Sequence, residues 1–184
     1  MFGNVRIEEA TLYYLYMLSN GTVENKEKEV FDNLCKELNV DSEEKKEIIN
    51  KCKTVFDAQP NVLDIIVTEK YDEQVGKKWI GMRSMSELAQ VIWNLVRLGY
   101  ADSMYSAEEK EIVNYLMDKW SIAPEVYQEF IDTAETLLSL KQYKSWISTA
   151  YTKKKIAEEK KKSIENEMQM LLDDVQLTIN ELTM

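Results

Sequence analysis

Histidine is absent from the 184 residues, proline occurs twice, cysteine twice and glycine five times. Without histidine there are no imidazole general bases, no Ser/His/Asp or Cys/His triads and no histidine-ligated metal centres. Scarce glycine and proline, beside 45% apolar and 30% charged residues, argue against all-β, collagen-like and disordered chains and leave a mostly helical one. No apolar run reaches the roughly 18 to 20 residues that cross a bilayer, so a transmembrane chain is not expected. The N-terminal stretch from Met1 to Asn20 carries Arg6, Glu8 and Glu9 and lacks the features of an export signal, which makes a cytoplasmic location the expectation. Positive charge is also short. The 23 basic against 33 acidic side chains leave −10, which repels phosphate backbones and anionic lipid and speaks against general nucleic-acid binding.

What is present is helical periodicity. Apolar stripes at spacings of three and four run through Val30, Phe31, Leu34, Cys35, Leu38 and through Ile48, Ile49, Cys52, Val55, Phe56. Others run through Leu88, Val91, Ile92, Leu95, Val96, through Ile112, Val113, Leu116, Met117, Trp120, and from Val126 to Leu138. Cys35 and Cys52 fall on two separate stripes with no CxxC spacing, so they read as reduced, buried thiols. The segment from Ile7 to Leu18 is apolar on most sides and includes Tyr13, Tyr14, Tyr16 and Met17, as in a helix surrounded by others.

The chain also matches itself. The register shift that carries Glu27 onto Glu109 lays the helices over 30–38 and 48–56 onto those over 112–120 and 130–138, with every stripe position still apolar. It also lays Glu27-Lys28-Glu29 on Glu109-Lys110-Glu111, and Asn20-Gly21 on Asp102-Ser103. The fold expected is therefore an all-α bundle of two three-helix units related by a pseudo-two-fold axis. Between the copies, Pro60 is placed as a first helical residue and Val62 to Val67 as a linking helix. Gly76 and Gly81 mark a turn there, Trp79 and Ile80 either a partner patch or an anchor of the linker to the bundle, and Ser84 with Glu87 a capping box for the next helix.

The domain expectation is 1–140 for the duplicated bundle and 141–184 for a long charged helix or helical hairpin. That extension is electrically divided. Residues 141–163 hold eight lysines against Glu158 and Glu159, a net of +6, while residues 164–184 carry −5. Ile164, Met168, Leu171, Val175, Ile179 and Leu182 recur like a coiled-coil seam, which either docks on the protein itself or serves as a dimer or partner surface.

The residues with capacity for chemistry lie in the first turn of each copy, Ser19 to Glu27 and Ala101 to Glu109. Both runs match the second half of an EF-hand loop, but the first-half ligand positions fall on Tyr16 and Leu18, and on Leu98 and Tyr100, so an EF-hand is excluded. Four oxygen-bearing residues, Asn20, Glu27, Asp102 and Glu109, would suit calcium or magnesium if they converge. Helix capping competes for the same residues: Ser106 with Glu109 forms a capping box, whereas Glu24 is a poor cap for Glu27.

The apolar helix ending in an Asn-Gly or Asp-Ser turn, with Glu early in the next helix, resembles the tellurite-resistance-associated TerB family over about residues 5 to 140. It is also similar to the N-terminal domain of membrane-anchored DnaJ-like co-chaperones. The family's acidic turn positions fall on Asn20, Glu27, Asp102 and Glu109, with Asn20 departing from the usual aspartate and Ser103 from the turn glycine. The resemblance implies a non-enzymatic helical domain linked to metal or stress response and to membrane-associated partner complexes; the function expected is a scaffold that meets protein partners through its acidic face or C-terminal helix. Two alternatives stand beside it: a divalent-metal-dependent enzyme with Glu27, Asp102 and Glu109 holding the ion, and a homo-oligomer assembled through the tail.

Overall fold

The computed structural model describes residues 5–68, 83–151 and 154–182; Gly76, Trp79, Ile80 and Gly81 lie outside them. Every regular element among the described residues is an α-helix, as composition and periodicity require. The eight are α1 (Val5–Met17), α2 (Asn25–Glu37), α3 (Ser42–Ala58), α4 (Val62–Val67), α5 (Met85–Gly99), α6 (Ala107–Trp120), α7 (Pro124–Ala150) and α8 (Lys154–Glu181). No helix among the described residues is long and apolar enough to cross a membrane. Chain contacts divide into two compact units, Met1–Ile122 and Ala123–Met184.

In the first unit α1 is the central rod. It packs against α2, α3 and α5, and every residue from Glu9 to Leu18 is buried, including the Tyr13, Tyr14, Tyr16 and Met17 cluster. The α2 stripe lays Phe31, Leu34 and Cys35 inward, and Tyr14 meets Phe31 with ring centroids 5.3 Å apart. Cys35 and Cys52 are buried free thiols, and burial pushes them up to about 11 and about 12, away from thiolate chemistry. α5 is the second buried rod, with Val91, Ile92, Leu95, Val96 and Leu98 all closed to solvent.

Pro60 does not open α4. Asn61 does, its side-chain oxygen accepting the Asp64 N–H at 3.1 Å, because an Asx side chain supplies an acceptor for the orphan amides that proline lacks. Ser84 and Glu87 form the expected capping box, with Glu87 accepting the Ser84 N–H at 2.7 Å and Ser84 Oγ accepting the Glu87 N–H at 3.3 Å.

Local backbone recurs in the register of the sequence repeat. α2 and α6 start at the matched positions Asn25 and Ala107, and α3 and α7 at Ser42 and Pro124. Asn39 and Ser121 both sit at φ 55°, and each follows a helix that closes in the same way. The Val40 N–H reaches the Cys35 carbonyl at 2.8 Å and the Ile122 N–H reaches Met117 at 3.0 Å, the bond pattern of a Schellman end.

The second unit is a helical hairpin. α7 continues unbroken past Leu140, so the expected 141–184 extension begins inside a 27-residue helix of about 40 Å. Antiparallel pairing with α8 follows from Thr178 Oγ1 donating to Glu129 at 2.6 Å near one end and Lys144 meeting Glu165 at 2.6 Å nearer the other. The seam expected on α8 is spent here: Ile164, Val175 and Ile179 are buried, Met168, Leu171 and Leu182 half-buried. Ile147, Ala157 and Ile164 form a small core with Leu140, Tyr151 and Met168 against it.

Candidate functional site

The two turns expected to carry chemistry are built alike. Asn20 Oδ1 accepts the Thr22 N–H at 3.1 Å and Asp102 Oδ1 accepts the Met104 N–H at 2.9 Å, two Asx turns at matched positions of the repeat. Gly21 and Ser103 follow at φ 83° and 75°. A left-handed serine is uncommon, so the conformation is set by the loop and not by glycine at the position.

The next helix then begins with a buried glutamate. Glu109 Oε2 accepts the Ser106 N–H at 2.7 Å while Ser106 Oγ accepts the Glu109 N–H at 3.2 Å, the capping box read from the sequence. Glu27 Oε2 accepts the Glu24 N–H at 2.6 Å, so Glu27 does have the structural role that a poor Glu24 cap suggested it lacked. The side chain reaching back, not the cap residue, makes that bond.

Both carboxyls are 1% exposed. Glu27 Oε1 is buried with no hydrogen-bond partner, whereas Oε2 is held by the cap. Burial above all, then the negative charge of Glu109 and Asp102, pushes Glu27 up to about 7 against the partial relief of its backbone hydrogen bond. Burial and the Asp102 charge raise Glu109 as well. Glu27, Asp102 and Glu109 therefore lie within electrostatic reach of one another across the first unit. Asn20 turns its amide oxygen onto its own loop and is not drawn into that group by any described interaction. Among the described residues no three or more Asp, Glu or Cys stand at the spacing of a formed metal cage. The arrangement is an acidic node: one orphan carboxyl oxygen on Glu27, and the carboxyls of Asp102 and Glu109 acting on it through their charge.

At the last residue of α5, Gly99 lets two rings close in. A Cβ on Gly99 would stand 2.5 Å from the Tyr105 ring and 2.6 Å from Tyr16 Oη, and Tyr100 and Tyr105 tilt against each other with centroids 5.0 Å apart. Ser19 Oγ is another buried atom with no partner.

Sequence reasoning missed a buried polar chain between α1 and α5. Glu9, 4% exposed, takes a 2.5 Å bond from Arg83 Nη2 and a 2.5 Å bond from Tyr13 Oη. Asn94 Nδ2 donates to Tyr13 Oη at 2.9 Å, and Arg97 donates to Asn94 Oδ1 at 3.1 Å. The signal in the sequence was a charged residue, Glu9, one turn before the all-apolar stretch of α1. Comparison with protein-family models, with curated proteins and with solved structures gives no match.

Proposed function

We propose that this chain is a TerB-like, non-enzymatic interaction scaffold. Its two matched turns, brought together by a duplicated three-helix unit about a pseudo-two-fold axis, take up a divalent cation. The observation that carries this reading is Glu27 Oε1, a buried carboxylate oxygen without a partner beside two further carboxyls. An uncompensated buried charge is costly, and a hard cation offsets it with oxygen ligands of the kind Glu27, Asp102 and Glu109 supply. The recurrence of turn, cap and helix start in one register supports the duplication. Asn20, already engaged in its own turn, contributes loop geometry and not ligation.

In this reading ion uptake replaces the proton that Glu27 holds near neutral pH, ties the turn before α2 to the turn before α6, and fixes the surface that partners meet. Stress association and the acidic partner face follow from the resemblance and from the charge of −10.

Calorimetric titration of metal-stripped protein with Ca²⁺, Mg²⁺, Mn²⁺ and Zn²⁺ tests it, with a parallel titration of an Asp102→Asn, Glu109→Gln variant. Expected are micromolar or tighter binding of one cation, proton release at pH 7, and loss of both in the variant. An absence of heat and of thermal stabilisation with all four ions would leave the node as a pair of helix caps.

A further inference from the structure

The hairpin unit is charged unevenly along its length. Its base pairs the start of α7, which carries Glu125, Glu129, Asp132 and Glu135 and no lysine, with the −5 end of α8. Its tip, where α7 ends and α8 begins, belongs to the stretch with eight lysines and a net of +6. Large apolar side chains stand open at that same tip. Trp146 is 54% exposed, Tyr143 43% and Ile156 38%.

These side chains are organised. Tyr143 stacks on Trp146 at 5.7 Å and 19°, Trp146 meets Tyr151 edge-on at 6.2 Å, and Lys160 Nζ lies 5.4 Å from the Tyr151 ring centre. Lys154, Lys155 and Lys162 on the first turns of α8 are exposed as well. Ile147 and Ala157 are buried and Tyr151 packs against that core, whereas Tyr143 and Trp146 stand outside it and are not needed to close the hairpin.

We propose that the tip of the hairpin is a docking surface for an anionic lipid bilayer. Trp and Tyr rings favour the headgroup level of a membrane, where an apolar body and a polar edge are both satisfied, and flanking lysines are drawn to anionic headgroups. The aliphatic Ile156 adds contact that only an apolar medium rewards. Single-stranded nucleic acid asks for the same charge but a different ring arrangement. Base stacking needs a free ring face, and Trp146 already stacks against Tyr143 and packs at right angles to Tyr151. The chain's charge of −10 does not forbid the contact, since screening limits electrostatics to about 8 Å at physiological salt and residues 141–163 carry eight lysines against Glu158 and Glu159.

The test is co-sedimentation of the full chain with vesicles of phosphatidylcholine and phosphatidylserine at seven to three, and of phosphatidylcholine alone, in physiological salt. Two tip variants go alongside, Lys154→Gln with Lys155→Gln and Lys160→Gln, and Tyr143→Ala with Trp146→Ala. A third, Lys26→Gln with Lys28→Gln and Lys36→Gln, makes the same charge change at exposed positions of the first unit. Circular dichroism reports that each variant keeps its helices. Binding to the anionic vesicles only is expected, weakened on the order of a hundredfold by the tip lysine changes and unaffected by the changes in the first unit. Loss on removing the two rings is expected too. Absence of vesicle binding overturns the proposal, as does equal weakening by both lysine variants. Tip-dependent binding of a fluorescent single-stranded oligonucleotide by a protein that ignores vesicles assigns the surface to nucleic acid instead.

Discussion

Glu27 and Glu109 occupy the same station in their helices, one in each copy of the repeat. Each is the third residue of its helix, each is 1% exposed, and each turns Oε2 back to the backbone N–H three residues earlier, at 2.6 and 2.7 Å. The second oxygens are not equivalent, since Glu27 Oε1 is the one left buried without a partner. Each carboxyl sits in a helix-start cap that holds it buried near acidic neighbours, and that combination has measurable consequences.

The first concerns pH. Glu27 binds its proton more tightly folded, at about 7, than at its ordinary value of 4.5, so the folded state holds more protons between those limits. Stability of the metal-free protein should therefore fall as pH rises from about 4.5 to 7 and level off above, by on the order of 1 to 3 kcal/mol. Glu109, shifted in the same direction, adds to the slope. Glu27→Gln keeps an oxygen for the Glu24 N–H and removes the charge, so the variant should flatten the profile and be the more stable protein at pH 8. Urea titrations across that range decide it, and a parent profile that rises with pH would contradict it.

Gly21 and Ser103 give opposite expectations from one conformation. Nothing lies within 4 Å of a Cβ built on Gly21, so Gly21→Ala meets only the left-handed backbone cost and should lose about 1 kcal/mol. Ser103→Gly relieves that strain at φ 75° and should gain up to about 1 kcal/mol, less what a more flexible unfolded chain takes back. Chemical denaturation of the two variants measures both signs. Equal effects of the same sign would mean the two turns are not built on the same backbone.

The Glu9 to Arg97 chain predicts a coupled effect. Arg83 and Glu9 side chains are 10% and 6% exposed, so Arg83→Met strands a buried carboxylate and should cost about 3 kcal/mol. Tyr13→Phe removes one donor to Glu9 and the acceptor of Asn94 and should cost about 1 to 3 kcal/mol. Adding Glu9→Gln to Arg83→Met should recover most of the first loss. A double-mutant cycle with no coupling between Glu9 and Arg83 would show that the pair is not an energetic unit.

Helix positions were legible in the sequence because apolar spacing reports a helix face directly, and the start of α6 was marked by Ser106 and Glu109. The start of α4 was misassigned to Pro60 because two helix-opening signals stood side by side and only hydrogen bonding chose Asn61. The structural role of Glu27 was misjudged for a related reason. Propensity scores the residue at the cap, while the bond comes from Glu27 three residues on.

Spacing and composition were enough to establish that this protein is helical, that two of its turns share one pattern, and that its C-terminal stretch divides into basic and acidic parts. Those are local properties, which folding does not alter. Packing was needed to show that Glu27, Asp102 and Glu109 feel one another's charge and that Glu9 finds Arg83, 74 residues away. Packing also consumed the α8 stripe against α7 and left Trp146 and Tyr143 outside on a basic tip. Each of these depends on which distant faces meet, and burial converts that meeting into a shifted proton, a shielded ion pair or an exposed ring.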